Sequence, residues 1–231
     1  MFQNKNVLIL IVLFFSFKTI AYDQKDFKSD LFSPLKFEES KETLLWGSSL
    51  TLFLIATQEK TIRPTQDTIS SSKPLGNLAQ LGDISGQMVP NLLYMFYQYS
   101  WENDIRRTQY MLKTSFFAGF TTFFLKRIVN QKRPNSSDRN SFPSGHTTTA
   151  FAFAGVVAKE HPEYQLSAYG LATLVALSRI NDNAHYLHDV VMGASIGLAY
   201  AQAFGREQQK KLSFNLIPFA DGAFLSKKWI F

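Results

Sequence analysis

Several residue types and patterns are missing from the 231-residue chain, and each absence narrows its function. There is no cysteine, which excludes disulfide bonds, thiolate metal sites and a cysteine nucleophile. Charged residues make up only 18% of the chain, against roughly 25% in an ordinary soluble domain. No internal repeat or low-complexity segment is visible, so a repeat architecture is not indicated. The length favours one folded domain.

The residues that are present make the chain apolar and basic. Hydrophobic residues account for 45% and aromatic residues for 15%, including 22 Phe. The mean hydropathy of −0.08 is nevertheless low for a protein with six full membrane spans. The net charge of +6 suits an anionic lipid surface, a phosphorylated substrate or nucleic acid, and charge alone does not choose among these.

Residues 1–21 have the pattern of an export signal, or signal peptide. Lys5 supplies the positive charge, 7–17 form the apolar segment, and Thr19-Ile20-Ala21 resembles a small-residue cleavage site. An uncleaved membrane anchor is the alternative, although Lys18 interrupts an apolar run well below the ~20 residues needed to span a bilayer. Both interpretations place the rest of the chain outside the cytoplasm, in a bacterial cell envelope.

Apolar segments of helical length predict an all-α fold, a six-helix bundle. The six segments are 44–57, 88–101, 110–129, 147–158, 166–178 and 185–204. The stretch 58–74, rich in Thr, Ser, Gln and Pro, is predicted to be a loop. The predicted helix 147–158 would be only about 18 Å long, which is short for a hydrocarbon core of ~30 Å. A membrane-embedded domain and a soluble or partly embedded periplasmic domain therefore remain alternatives.

The pattern divides the rest of the chain into three parts. A polar N-terminal arm at 22–42 precedes the helical domain at 43–206, and a tail follows at 207–231. In the tail, apolar residues flank Asp221-Gly222, a dipeptide typical of tight turns. The tail is therefore predicted to form a small C-terminal β-hairpin.

Three polar clusters lie at the ends of predicted apolar helices, where core packing gives no reason to place them. The clusters are Lys126 to Arg133-Pro134, then Pro143-Ser144-Gly145-His146, then Ser178-Arg179 with His185 and Asp189. Consecutive helices of an up-and-down bundle alternate in direction, so the end of one helix meets the start of the next. All three clusters are therefore expected at one face of the bundle, as a single site.

The basic and small residues of these clusters suit a phosphoryl group. Lys126, Arg133 and Arg179 bring three positive charges together, and guanidinium groups match the oxygens of phosphate. Ser144 and Gly145 open a predicted helix, where free backbone N–H groups and the helix dipole favour an anion. Gly145 also allows close approach of the ligand. We interpret these five residues as phosphate-binding.

The histidines predict covalent catalysis without a metal or cofactor. His185 and Asp189 are four residues apart, so the carboxylate can hold Nδ1–H of the imidazole and leave Nε2 free to attack. His146 can protonate the leaving alkoxide and later take a proton from water. His188 adjoins Asp189 but is predicted to point away from His185, without a catalytic role.

At these residues the chain resembles the type 2 phosphatidic acid phosphatase superfamily. That superfamily includes bacterial class A acid phosphatases, lipid phosphate phosphatases, glucose-6-phosphatase and vanadium haloperoxidases. Its pattern is Lys, six residues, Arg-Pro; Pro-Ser-Gly-His; and Ser-Arg, five residues, His, three residues, Asp; every position is present here. The resemblance covers roughly 88–204 and implies His185 as nucleophile, Asp189 as its partner and His146 as general acid. It implies a phosphate cradle of Lys126, Arg133, Ser144, Gly145 and Arg179.

The resemblance implies a phosphatase that hydrolyses phosphate monoesters or pyrophosphates, with lipid substrates favoured by the apolar helices. The expected partners are a phosphorylated lipid or small phosphate ester and a membrane surface or bilayer, with the active site facing the periplasm and no role for nucleic acid. A soluble periplasmic acid phosphatase of broad specificity is the nearest alternative. A vanadate-dependent haloperoxidase is another, because the cradle can hold vanadate, whereas the intact set of residues argues against a relic site.

Overall fold

The computed structural model describes residues 24–212, 214–219 and 222–227. Within these ranges there are nine α-helices: α1 Gln24–Leu31, α2 Glu38–Thr57, α3 Arg63–Ser72, α4 Leu78–Gly86, α5 Val89–Ser100, α6 Ile105–Val129, α7 Gly145–Glu160, α8 Gln165–Asn181 and α9 Leu187–Leu212. Helix α1 belongs to a separate compact unit, and the features below lie in the unit that begins at Ser33. The predicted export signal at 1–21 lies outside the described residues.

The prediction of six helices was too low. The segment 58–74, predicted to be a loop, is helical for most of its length, with a π-helix at Gln58–Ile62 that continues directly into α3. Part of the predicted polar arm is also helical, since α2 already begins at Glu38. These segments are polar and lack the apolar periodicity on which the prediction relied. Pro64 does not interrupt α3, because it lies in the first turn, where no N–H is needed.

Helices α7 and α9 pack against each other at the centre of the unit, with α2 and α6 against α9 and α8 against α7. Small residues let α7 and α9 approach each other closely, as the Gly-rich and Ala-rich sequence of α9 predicts. A Cβ atom at Gly193 would lie 2.6 Å from the carbonyl oxygen of Ser144, and one at Gly155 would lie 2.6 Å from Ala201 Cβ. The contact at Gly193 brings the first half of α9 against the beginning of α7, where two of the polar clusters lie.

The outer helices carry many exposed apolar side chains. Helix α2 buries Gly47 and Leu54 against the rest of the unit, while Trp46 is 76% exposed and Leu52 is 67% exposed. Among the described residues, none of the helices has both the length and the apolar character needed to cross a membrane.

A two-stranded antiparallel sheet follows α9. Its strands are β1, Phe214–Phe219, and β2, Gly222–Lys227. In the register of the sheet Phe214 pairs with Lys227 and Phe219 with Gly222.

Candidate active site

His185 and Asp189 form a buried pair at the beginning of α9. His185 precedes the helix, which starts at Leu187, rather than lying on its first turn as predicted. Its Nδ1 lies 3.5 Å from Asp189 Oδ2. Ser141 Oγ lies 3.5 Å from the same nitrogen and donates a hydrogen bond of 2.5 Å to Asp189 Oδ2. Since Nδ1 faces Asp189 and Ser141, Nε2 is the nitrogen left for attack on a substrate.

The carboxylate of Asp189 lies between two histidines. His188 Nε2 is 3.1 Å from Oδ1, and the backbone N–H of Tyr186 donates to Oδ2 at 2.9 Å. His188 therefore contacts the carboxylate that His185 also uses, although it was predicted to point away. Burial alone would raise the pKa of Asp189, but its contacts with His185, His188 and Ser141 hold that pKa well below the usual range.

The imidazole of His185 is suited to the role of a nucleophile because it is uncharged. Burial lowers the pKa of the imidazole, and the ionised Asp189 only partly opposes the shift. At neutral pH the structure therefore pairs an uncharged imidazole with a charged carboxylate, and the imidazole keeps a free lone pair.

Lys126, at the end of α6, stabilises the segment that leads into α7. Its Nζ donates hydrogen bonds to the backbone carbonyl oxygens of Asn140 at 2.6 Å, Ser141 at 3.2 Å and Pro143 at 2.5 Å. An ammonium group has three donors, so all three are used by the protein. Burial and the nearby Arg133 lower the pKa of Lys126 to about 8. Lys126 thus contributes positive charge to the site. It can donate a hydrogen bond to a substrate only if it releases one of these three carbonyl oxygens.

Ser144 and Gly145 form the start of α7. Ser144 Oγ accepts hydrogen bonds from Thr147 Oγ1 at 2.9 Å and from Thr147 N–H at 3.5 Å, so its side chain caps the helix. Its backbone N–H donates to the carbonyl oxygen of Asp189 at 2.9 Å. A Cβ atom at Gly145 would meet only Lys126 Cε, at 3.8 Å. The N-terminus of α7 therefore adjoins open space, as an anion site at a helix start requires.

His146 and Arg179 share a carboxylate that the sequence analysis did not single out. Asp83 Oδ1 accepts a hydrogen bond of 2.5 Å from Arg179 Nη1 and lies 3.2 Å from His146 Nε2. Burial and the charge of Arg179 lower the pKa of His146 to about 4, while Asp83 opposes this shift. The second terminal nitrogen of Arg179, Nη2, lies 3.5 Å from Asp182 Oδ2.

Two hydrogen bonds join the three clusters into one site, since Lys126 donates to the carbonyl oxygen of Pro143 and Ser144 N–H donates to that of Asp189. The backbone N–H of His185 donates to the carbonyl oxygen of Arg179 at 3.4 Å. Arg133 Nε donates to the side chain of Asn140 at 2.7 Å. The charges of Arg179 and Arg133 both lower the pKa of His146. The structure thus brings together the residues that the sequence predicted, namely Lys126, Arg133, Ser144, Gly145, His146, Arg179, His185 and Asp189.

Two residues of this site, Asp83 and Ser141, were not predicted from the sequence. Asp83 lies on α4, a short helix that was not predicted at all, and no spacing relates it to the three clusters. Ser141 lies between two of the clusters and is fully buried. The only available signal for Asp83 was a lone acidic residue within an otherwise uncharged stretch, 78–86.

A cavity of about 310 Å³ adjoins the site on the side of His146. Its walls come from the ends of α4, the second half of α6 and the first turn of α7. The residues that line it include Gly86, Gly119, Phe123, Lys126, Gly145 and His146. The cavity therefore opens beside Lys126, Gly145 and His146, three of the residues predicted for the site.

Replacing Gly86 by alanine is expected to destabilise the protein by about 1–3 kcal/mol, because it overpacks the contact between α4 and α7. The new Cβ would lie 2.7 Å from His146 Cβ and 2.8 Å from Val175 Cγ1. Gly170→Ala is the matched control, since nothing lies within 4 Å of a Cβ atom there. Chemical denaturation of the two variants checks this, and an equal free energy of unfolding for both would contradict the close packing at Gly86.

Comparison with known proteins agrees with this geometry. Residues 108–212 match the family model of the PAP2 superfamily. A lipid A 1-phosphatase of Porphyromonas gingivalis is 41% identical over 77 residues, which are 32% of this chain and 17% of that protein. A lipid A 1-phosphatase of Rhizobium johnstonii is 32% identical over 103 aligned positions, and the match covers 38% of this chain and 42% of that protein. The matches span less than half the length of these relatives.

Two solved structures share the fold. The crystal structure of Aquifex aeolicus LpxE has a TM-score of 0.53 and 21% identity, and the match covers 62% of this chain and 93% of that one. A transmembrane PAP2 type phosphatidylglycerolphosphate phosphatase from Bacillus subtilis has a TM-score of 0.50 and 19% identity, covering 78% of this chain and 97% of that one. The region 108–212, which contains all three polar clusters, is therefore similar to the PAP2 superfamily.

Proposed function

We propose that this chain is a lipid phosphatase of the bacterial cell envelope that works through a phosphohistidine intermediate on His185. The observation that carries the proposal is the buried pair of His185 and Asp189 beside a cluster of cations, with His146 next to the same cluster. Relatives named as lipid A 1-phosphatases make the 1-phosphate of lipid A the first substrate to test.

In the first half of the reaction, His185 Nε2 attacks phosphorus and the bond from phosphorus to the leaving oxygen breaks. The electron pair of that bond goes to the leaving oxygen, which takes a proton from His146 and departs as an alcohol. Asp189 holds Nδ1–H of His185 and stabilises the positive charge that develops on its ring. Arg133, Arg179 and the N-terminus of α7 stabilise the phosphoryl oxygens.

In the second half, water attacks the phosphorus atom of phosphohistidine. His146, now neutral, takes a proton from the water, and the bond between phosphorus and Nε2 breaks. The electron pair returns to His185, and inorganic phosphate leaves. Both histidines recover their initial protonation states, and the two half-reactions require no metal or cofactor.

The surface of the protein supports a lipid rather than a small phosphate ester. Exposed apolar side chains are concentrated on several outer helices. Trp46 on α2, Phe96 on α5, Trp101 directly after α5 and Ile128 on α6 are all at least 61% exposed. Apolar surface of this extent is typical of contact with a membrane or another protein. We therefore propose that these helices contact the lipid phase, with the active site on the periplasmic side.

Filling the cavity next to His146 is expected to lower the activity on large substrates more than the activity on small ones. We propose that the cavity receives the part of the leaving group next to phosphate, since Gly145 and His146 both line it. A Cβ atom at Gly119 would meet nothing within 4 Å, so a larger residue can be placed there without a clash at Cβ. Gly119→Leu is expected to lower kcat/KM for a lipid phosphate by about 10-fold or more, with a smaller effect on a small phosphate ester. An equal effect on both substrates would contradict the assignment of the cavity.

The proposed function is tested by phosphate release from the purified protein in detergent, with EDTA present. Suitable substrates are lipid A, phosphatidate, phosphatidylglycerol phosphate, an isoprenyl pyrophosphate and p-nitrophenyl phosphate. We expect release from at least one lipid, with lipid A favoured. Turnover of small esters alone, by protein that stays soluble without detergent, would support the alternative of a periplasmic acid phosphatase. Halide oxidation with added vanadate and peroxide, without phosphate release, would indicate a haloperoxidase.

A further inference from the structure

We infer that Asp83 is a positioning residue that fixes His146 and Arg179 beside each other and favours the protonated form of His146. This inference rests on the proposed function, because it assigns Asp83 a role in the transfer of a proton to the leaving group. Asp83 lies outside the three clusters, on the short helix α4, and neither half-reaction described above uses it.

The geometry places one carboxylate oxygen between the two groups. Asp83 Oδ1 is 2.5 Å from Arg179 Nη1 and 3.2 Å from His146 Nε2. Helix α4 is held against α7 and α8, which carry His146 and Arg179. The position of the carboxylate is therefore set by helix packing rather than by a loop, as a positioning role requires.

The charges around His146 explain why such a carboxylate is needed. Burial disfavours the protonated imidazole of His146, and the charges of Arg179 on α8 and Arg133 before α7 add to this effect. Asp83 on α4 is the negative group that opposes them. The other carboxylate of the site, Asp189, is engaged by His185, His188 and Ser141. Asp83 thus provides the negative charge that an imidazolium ion needs in this cationic cluster.

The direction of the pH shift expected on replacing Asp83 follows from the role of His146 as an acid. The first half-reaction requires its proton, so the rate falls as pH rises above the pKa of His146 in the substrate complex. Asp83 raises that pKa above the value that burial and the cations would otherwise impose. Replacing Asp83 by asparagine is therefore expected to move the alkaline limb of the profile of kcat against pH to lower pH.

Leaving groups of different acidity distinguish this role from a structural one. Nitrophenolate leaves without help from an acid, whereas an alkyl or glycosyl alkoxide needs a proton. Asp83→Asn is expected to lower kcat/KM for an alkyl or glycosyl phosphate by about 10-fold to 100-fold, with a much smaller loss on p-nitrophenyl phosphate. Asp182→Asn is the matched control, because Asp182 lies 3.5 Å from Arg179 but has no recorded contact with His146. In this control the ratio between the two substrates is expected to stay at the wild-type value.

Each outcome decides between the two proposals. Wild-type protein that releases phosphate from neither substrate would overturn the proposed function and the inference with it. If the wild type is active, an equal loss on both substrates, or no loss, in Asp83→Asn would overturn the inference alone. A gain in activity would also overturn it, since it would mean that the carboxylate competes with the phosphoryl group for Arg179. A shift of the alkaline limb together with a selective loss on the poor leaving group would support it.

Discussion

Replacing His185 by glutamine is expected to reduce kcat/KM by about 10⁴-fold or more, the size of effect seen when an enzyme loses its nucleophile. Glutamine keeps a polar side chain in the buried position beside Asp189 and Ser141, but it provides no imidazole lone pair to attack phosphorus. The loss is expected for every substrate, because both half-reactions pass through the bond between phosphorus and Nε2.

Rapid acid-free quenching with a phosphate-labelled substrate checks this prediction. The wild type is expected to carry base-stable, acid-labile label on His185, and His185→Gln to carry none. His161→Gln is the matched control, because His161 lies in the connection between α7 and α8, with its Nδ1 3.7 Å from Glu163. Full activity of His185→Gln, or label that remains in it, would refute the mechanism proposed here.

Replacing His146 by alanine is expected to lower kcat/KM for an alkyl or glycosyl phosphate by about 10²-fold to 10⁴-fold, the usual contribution of general acid–base catalysis. The variant is expected to be impaired differently in the formation and in the hydrolysis of phosphohistidine. With p-nitrophenyl phosphate the leaving group departs unaided, so phosphohistidine still forms. Its hydrolysis lacks the base that takes a proton from water, and the labelled intermediate is therefore expected to accumulate.

Pre-steady-state kinetics with substrate in excess measure the two steps separately. A burst of nitrophenol equal to the enzyme concentration, followed by slow turnover, is the expected result for His146→Ala. Its thermal unfolding should be compared with that of the wild type, since removal of the imidazole leaves space beside Gly86. An unchanged steady-state rate on the poor leaving group would rule out His146 as the acid.

The expected losses of activity for the variants of His185, His146 and Asp83 decrease in that order, because the three side chains are increasingly exposed. His185 is 1% exposed and is fixed by Asp189, so it has no substitute. His146 is 32% exposed at its side chain and adjoins the cavity, where water can replace part of its function. Asp83 is more exposed still, at 44%, and acts through His146, which makes its expected effect the smallest of the three.

Spacing along the chain was enough to predict most of the site. The separation of His185 and Asp189 by four residues, and the position of Ser144 and Gly145 before an apolar segment, are local features. Such features depend on the geometry of a helix and its first turn, which the sequence fixes over a few residues. The helical class and the approximate position of the longer helices followed in the same way from apolar periodicity.

Packing between distant segments decided what the sequence left open. The short helix α4 has a weak pattern of its own, and only its fit against α7 and α8 places Asp83 between His146 and Arg179. The three carbonyl oxygens around Lys126 likewise depend on the path of the segment before α7. Local spacing along the chain therefore predicted which residues we propose to carry the chemistry. The tertiary structure decided which charges surround them, because contacts between helices depend on how closely small residues let those helices approach.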